Sequence, residues 1–182
     1  MTKKVVIDAG HGGKYPASDP GAVNGSKHEA VATLAIAKKV GAKLKAKGVS
    51  VLYTRTKNEA VSLKERCATS NTWGADAFVS IHLNSAANKD ASGIETWHYP
   101  VAGTTKKLAD DIQTQLIAAT GAKDRGAKTT TTLYVLKHTK APAALVECGF
   151  ISNSAECKKL FNDAYQDKIA TAIADGIRKA LA

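Results

Sequence analysis

A chain of 182 residues fits one domain and is long enough to bury a core without covalent staples. Three cysteines without a CxxC pair (Cys67, Cys148 and Cys157) exclude a disulfide framework and a cysteine zinc knot, and no apolar run approaches the roughly 18 residues of a membrane span. Lysine and arginine total 26 against 16 acidic residues, a formal charge of +10 that attracts polyanions in a salt-sensitive way; with no compact basic run and no interleaved aromatics, it does not favour nucleic acid.

In chain order, Met1-Thr2-Lys3-Lys4 carries no signal-peptide pattern and leads into a buried strand over 4–8. The segment from Gly10 to Gly25, rich in glycine and proline, reads as a loop long enough to be functional. Residues 29–47 read as a helix with Val31, Leu34, Ala35, Val40, Gly41 and Leu44 at helical spacing, lysines in its last turns and Gly48 as its stop. A strand over 49–54 follows. Ser62-Leu63-Lys64-Glu65 has the form of a capping box and opens a helix to about Trp73.

Strands are predicted over 77–82 and 93–99, then a helix over 105–120 with Leu108, Ile112, Leu116 and Ala119 on one face. The polar stretch 123–132 reads as a loop, 133–137 and 143–147 as further strands, and 165–181 as a helix with Ile169, Ile173 and Ile177 every fourth residue. Strands alternating with helices predict an α/β fold: a mostly parallel twisted sheet of about six strands with helices on both faces, in a single domain over 1–182.

Three of the strands end on residues able to bind or activate a metal. Val5-Val6-Ile7 runs into Asp8-Ala9-Gly10-His11-Gly12-Gly13, Ala77-Phe78-Val79-Ser80-Ile81 ends at His82, and Ala144-Leu145-Val146 ends at Glu147. The carboxyl ends of parallel strands form one rim, where sites sit. Gly12-Gly13-Lys14 is no phosphate loop, because Tyr15 stands where that motif needs Ser or Thr.

Catalytic zinc takes three protein ligands and leaves a position open. His11 and His82 are two candidates, against the plainer roles of a turn histidine and a histidine closing a core strand. For the third, Glu29 at a helix start competes with the adjacent His28, and spacing does not choose between them. Glu147 at the end of an apolar strand is placed for a raised pKa, which suits a group that takes a proton from water and passes it to a departing amine; the plainer role is an ion pair with Arg125 or Arg55.

These residues resemble a known family. Asp8-Ala9-Gly10-His11-Gly12-Gly13, Asp19-Pro20-Gly21-Ala22, Glu29, Thr54-Arg55, Ser80-Ile81-His82-Leu83-Asn84, Gly93-Ile94-Glu95-Thr96, Asp124-Arg125-Gly126 and Val146-Glu147-Cys148-Gly149-Phe150 run in the order seen in the zinc-dependent N-acetylmuramoyl-L-alanine amidases, type 3, over essentially the whole chain. Ala9 departs from the usual proline. The resemblance implies a peptidoglycan hydrolase that cuts the amide between the lactyl group of N-acetylmuramic acid and L-alanine. It implies one catalytic zinc ion held by His11, Glu29 and His82, with Glu147 as acid/base. Asp8 is expected to brace His11, and Asn84, Glu95 and Arg125 to serve ligand orientation or substrate.

The expected setting is the bacterial cell wall, as the catalytic domain of a phage endolysin or an autolysin. The expected partners are peptidoglycan and anionic wall polymers, with no nucleic acid, no membrane span and a monomeric state. Two rivals use the same residues differently: a zinc peptidase on stem peptides, and a thiol hydrolase with Cys148 as nucleophile and His82 or His138 as base.

Overall fold

The computed structural model describes residues 2–13 and 19–182. Lys14 and Tyr15, on which the phosphate-loop reading turned, lie outside the described residues. The strands are β1 (Lys4–Ala9), β2 (Val23–Asn24), β3 (Lys27–His28), β4 (Ser50–Tyr53), β5 (Ala77–Asn84), β6 (Ile94–His98), β7 (Asp124–Thr129) and β8 (Ala143–Phe150). The helices are α1 (Glu29–Ala46), α2 (Leu63–Trp73), α3 (Thr104–Thr120), α4 (Tyr134–His138), α5 (Ser154–Leu160) and α6 (Asp163–Leu181).

Six strands form one sheet in the order β4-β1-β5-β8-β6-β7. The first four are mutually parallel; β6 pairs antiparallel with β8 and parallel with β7. The mostly parallel sheet with helices on both faces is thus as the sequence predicts. Alternation along each strand divides its residues between two apolar layers. Val5, Ile7, Val79, Ile81, Ala144 and Val146 face the larger layer, roofed by α1, α3 and α6. Val6, Phe78, Ala143 and Leu145 face the smaller one, with α2 and α4 over β1 and β8.

Ser62 caps α2 as its sequence announces: its hydroxyl accepts the Glu65 N–H at 3.2 Å, and the Glu65 carboxylate accepts the Ser62 N–H at 2.8 Å. Other elements differ from expectation. Residues 124–129 form the edge strand β7 rather than a loop. Their polar character is that of an edge, where charge deters pairing with another chain. Residues 134–138 are a short helix, not a strand. Both edges of β8 are already taken by β5 and β6, so Val135 and Leu136 reach the sheet by packing on it. In α1 the predicted Val40, Gly41 and Leu44 are buried, but in its first turns Val31 is exposed and Ala32, Thr33, Ile36 and Ala37 face the core instead. Two elements were not foreseen: α5, capped by the Asn153 side chain, and the small β2–β3 hairpin.

Candidate active site

β1 and β5 are neighbours in register, and their carboxyl ends bring the loop after Ala9 beside His82. The β2–β3 hairpin delivers the first residue of α1, Glu29, to the same point. One ligand atom each from His11, Glu29 and His82 falls within 4.8 Å of the others. Glu29 Oε1 lies 3.2 Å from His11 Nε2 and 3.1 Å from His82 Nδ1, and it accepts the Leu83 N–H at 2.8 Å. Glu29 Oε2 accepts the Ala22 N–H at 2.8 Å. Burial alone would raise this carboxyl. The hydrogen bonds and charge of the two imidazoles outweigh burial and hold it far below the usual carboxylate range. His28, one residue earlier, is exposed.

The local backbone is built for this convergence. Gly10 stands so close to His82 that a Cβ would sit 2.4 Å from the ring, and a Cβ on Gly21 would sit 2.6 Å from Glu29 Oε2. His11 has φ 60°, a left-handed conformation that costs about 1–2 kcal/mol in a residue with a side chain. Two buried arginines hold it there. Arg55 donates to the carbonyls of Ala9, Gly10 and Ala30; Arg66 donates to those of Ala9 and His11. From the sequence, Arg55 reads only as an ion-pair partner for Glu147 and as part of the family resemblance; that it and Arg66 hold this loop was not foreseen.

Asp8 was expected to brace His11, and the structure corrects this. The Asp8 carboxylate is fully buried on the strand and is taken by Arg66 Nη1 (2.6 Å), Ser80 Oγ (2.6 Å) and Thr54 Oγ1 (2.5 Å). Asp19 occupies the bracing position, its Oδ1 2.8 Å from His11 Nδ1, which leaves Nε2 directed at Glu29. Burial pulls the His11 pKa down, but Glu29 and Asp19 together raise it above its ordinary value.

Glu147 sits on β8 opposite His82 on one side and Glu95 on the other. Its Oε2 is buried with no hydrogen-bond partner among the described residues. Burial pushes its pKa up to about 7; His82 opposes the rise, and the charges of Glu29 and Glu95 add to it. Neither Arg125 nor Arg55 pairs with it: Arg125 is bound to Glu95, and Arg55 to the loop after β1. Two imidazole nitrogens and a carboxylate in a shared focus, beside an orphaned carboxylate oxygen, suit zinc with an open position. The donor set fits the metal that the resemblance implies.

The family model of the N-acetylmuramoyl-L-alanine amidases matches residues 5–179. The chain belongs to that family. Among its relatives is a Bacillus subtilis (strain 168) protein named YqiI, 40% identical over 177 residues, covering 96% of this chain and 83% of that one. The amidase LytC of the same organism is 39% identical over 174 residues, and the match spans only 34% of LytC. The crystal structure of an N-acetylmuramoyl-L-alanine amidase from Clostridium difficile 630 superposes with a TM-score of 0.93 at 37% identity, covering 99% of this chain and 97% of that one.

In this amidase-family chain the candidate centre opens into a cleft of about 420 Å³, edged by Val61, Leu63, Leu133 and Tyr134 as well as His11 and His82. Leu63 and Tyr134 are exposed at its lip. Asn84 does not reach the metal-type cluster; its amide donates to Glu95 Oε1 at 2.9 Å. Glu95 and Arg125 form an ion pair at 2.8 Å on the far side of Glu147. Cys148 points to the opposite layer from Glu147, fully packed, and burial pushes its thiol far above the ordinary range. Cys148 is therefore an inaccessible, protonated thiol and not a thiolate nucleophile.

Proposed function

We propose that this chain is a zinc-dependent peptidoglycan amidase, with His11, Glu29 and His82 as metal ligands and Glu147 as general base and acid. The bond cut joins the lactyl carbonyl of N-acetylmuramic acid to the nitrogen of L-alanine. The observation that carries the reading is the focus of His11, Glu29 and His82 beside an unpartnered Glu147 oxygen. A zinc ion held by those three side chains would supply a Lewis acid that polarises the lactyl carbonyl and makes a water molecule more acidic.

The remaining chemistry is proton traffic through Glu147. Its Oε2 takes a proton from the attacking water, and the resulting carboxylic acid gives that proton to the alanine nitrogen as the C–N bond breaks. A lactyl carboxylic acid and an amine result, and the acid's proton passes to the amine at neutral pH, leaving a carboxylate and an ammonium group. A carboxyl with a pKa near 7 serves both halves, because at neutral pH neither its acid nor its base form is scarce. Glu29 is already ionised at that pH and is placed to hold a cation, not to carry a proton. Asp19 keeps His11 in the tautomer with Nε2 free for metal.

The surplus of cationic side chains would hold the protein near the anionic polymers of a bacterial wall. The test is mass analysis of digested peptidoglycan: glycan strands left intact and released peptides beginning with free alanine are expected. Cuts inside the stem peptide would favour the zinc-peptidase reading and overturn this one.

A further inference from the structure

Past Glu147 the sheet continues to β6 and β7, on the face where α2 and α4 pack over β1 and β8. Glu95 is the hub of that uncovered part. It is 4% exposed, opposes Glu147 in register, and accepts four donors. Oε1 receives Asn84 Nδ2 at 2.9 Å and Trp97 Nε1 at 3.2 Å; Oε2 receives Arg125 Nε at 2.8 Å and Lys128 Nζ at 2.7 Å.

Two cations on one carboxylate leave a positive charge over. Both stay partly open to solvent, at 30% and 34% side-chain exposure. Arg125 is stacked on the Phe150 ring at 4.9 Å and gives its Nε to Glu95. Its Nη1 has only a long 3.4 Å contact with the Ser92 carbonyl, and its Nη2 meets no acceptor among the described residues. Lys128 lies over the Trp97 ring at 5.3 Å and also lines a hollow of about 740 Å³ with Trp97, Pro100 and Val101. The guanidinium nitrogens and ammonium protons not taken by Glu95 are open to solvent and so to a ligand.

We propose that Arg125 and Lys128, fixed by Glu95, form a subsite for a free carboxylate on the departing peptide, one residue beyond the alanine whose amide is cut. Strands lie about 4.8 Å apart, so cations tethered over β6 stand about 5 Å from the Glu147 strand. An extended peptide advances about 3.5 Å per residue, which brings the group after alanine into reach. A guanidinium with free terminal nitrogens matches a carboxylate better than it matches a carboxamide. The inference rests on the amidase reading above, since it takes the peptide to leave across β6.

The test uses two synthetic muropeptides, identical except that the residue after alanine carries a free carboxylate in one and a carboxamide in the other. Each is turned over by the zinc-loaded protein and by its Arg125→Gln and Lys128→Met variants, and the ratio of kcat/KM values is read. The native protein is expected to favour the carboxylate by about tenfold or more, as charge-assisted hydrogen bonds imply. In each variant the ratio is expected to fall toward one. Calorimetric binding of the product peptide to metal-free protein is expected to weaken about tenfold in Arg125→Gln. A ratio identical in native and variant proteins, whatever their melting temperatures, overturns the subsite alone. Failure of the native protein to cut either muropeptide overturns the amidase reading and the subsite with it.

Discussion

Glu147 and Glu29 are both glutamates at the same rim, yet their surroundings drive them to opposite protonation behaviour. Glu29 has two imidazoles against it and stays ionised; Glu147 has burial, Glu29 and Glu95 against it and rises to about 7. The assignment of roles follows, and Glu147→Gln is expected to keep a full zinc complement while losing about 10²- to 10⁴-fold in rate. Metal analysis and lysis assays on one preparation check this, and a variant that lyses walls at the native rate would remove Glu147 from the mechanism. Because the base form is needed for attack, the rate should fall as pH drops through the Glu147 pKa. A divalent cation nearby draws that pKa down, so the acid limb belongs at or below about 7. Asp19→Asn is expected to weaken zinc affinity by about tenfold with the fold intact, measured by competition with a chelator. Unchanged affinity would mean that His11 needs no brace.

At the scale of elements, the site hangs on the loop after β1, and that loop hangs on Arg55 and Arg66. Arg66→Met would leave the fully buried Asp8 with only the Ser80 and Thr54 hydroxyls. Breaking a buried pair by removing one partner typically costs about 3–5 kcal/mol, and those two hydroxyls place the expected loss near the low end. Denaturant unfolding measures it, and a loss under about 1 kcal/mol would show that the pair is not what pins the loop. Much of this frame was legible in the sequence. Apolar runs leading to His11, His82 and Glu147 pointed to three strands meeting at one site, because side-chain period and burial are local properties, although β5 and β8 run on to Asn84 and Phe150. The partner of Asp8 was not legible. It lies on α2, 58 residues away, and only the parallel pairing of β1 with β5 brings α2 over it. For the same reason 123–132 read as a loop and 133–137 as a strand: an edge strand advertises itself by whom it pairs with, and a short apolar run fits either state.

Across the whole molecule, net charge is what the proposed association with a wall rests on. With a formal +10, attraction to anionic polymer should weaken as salt rises from about 0.05 to 0.5 M, since the screening length falls from about 14 Å to about 4 Å. Pelleting with purified walls across that range reads it directly, and salt-independent retention would point to specific sugar or peptide contacts instead. The candidate centre draws its groups from the loop after β1, from β5 and from α1, elements far apart in sequence, so it depends on β1 and β5 being in register. The most direct test is therefore to crystallise the protein with zinc and locate the ion by its anomalous scattering. The account predicts one site, bonded to His11 Nε2, Glu29 and His82 Nδ1, with Glu147 beside it and not bonded to it. An ion found elsewhere, or none in ample zinc with these three side chains turned apart, would contradict it.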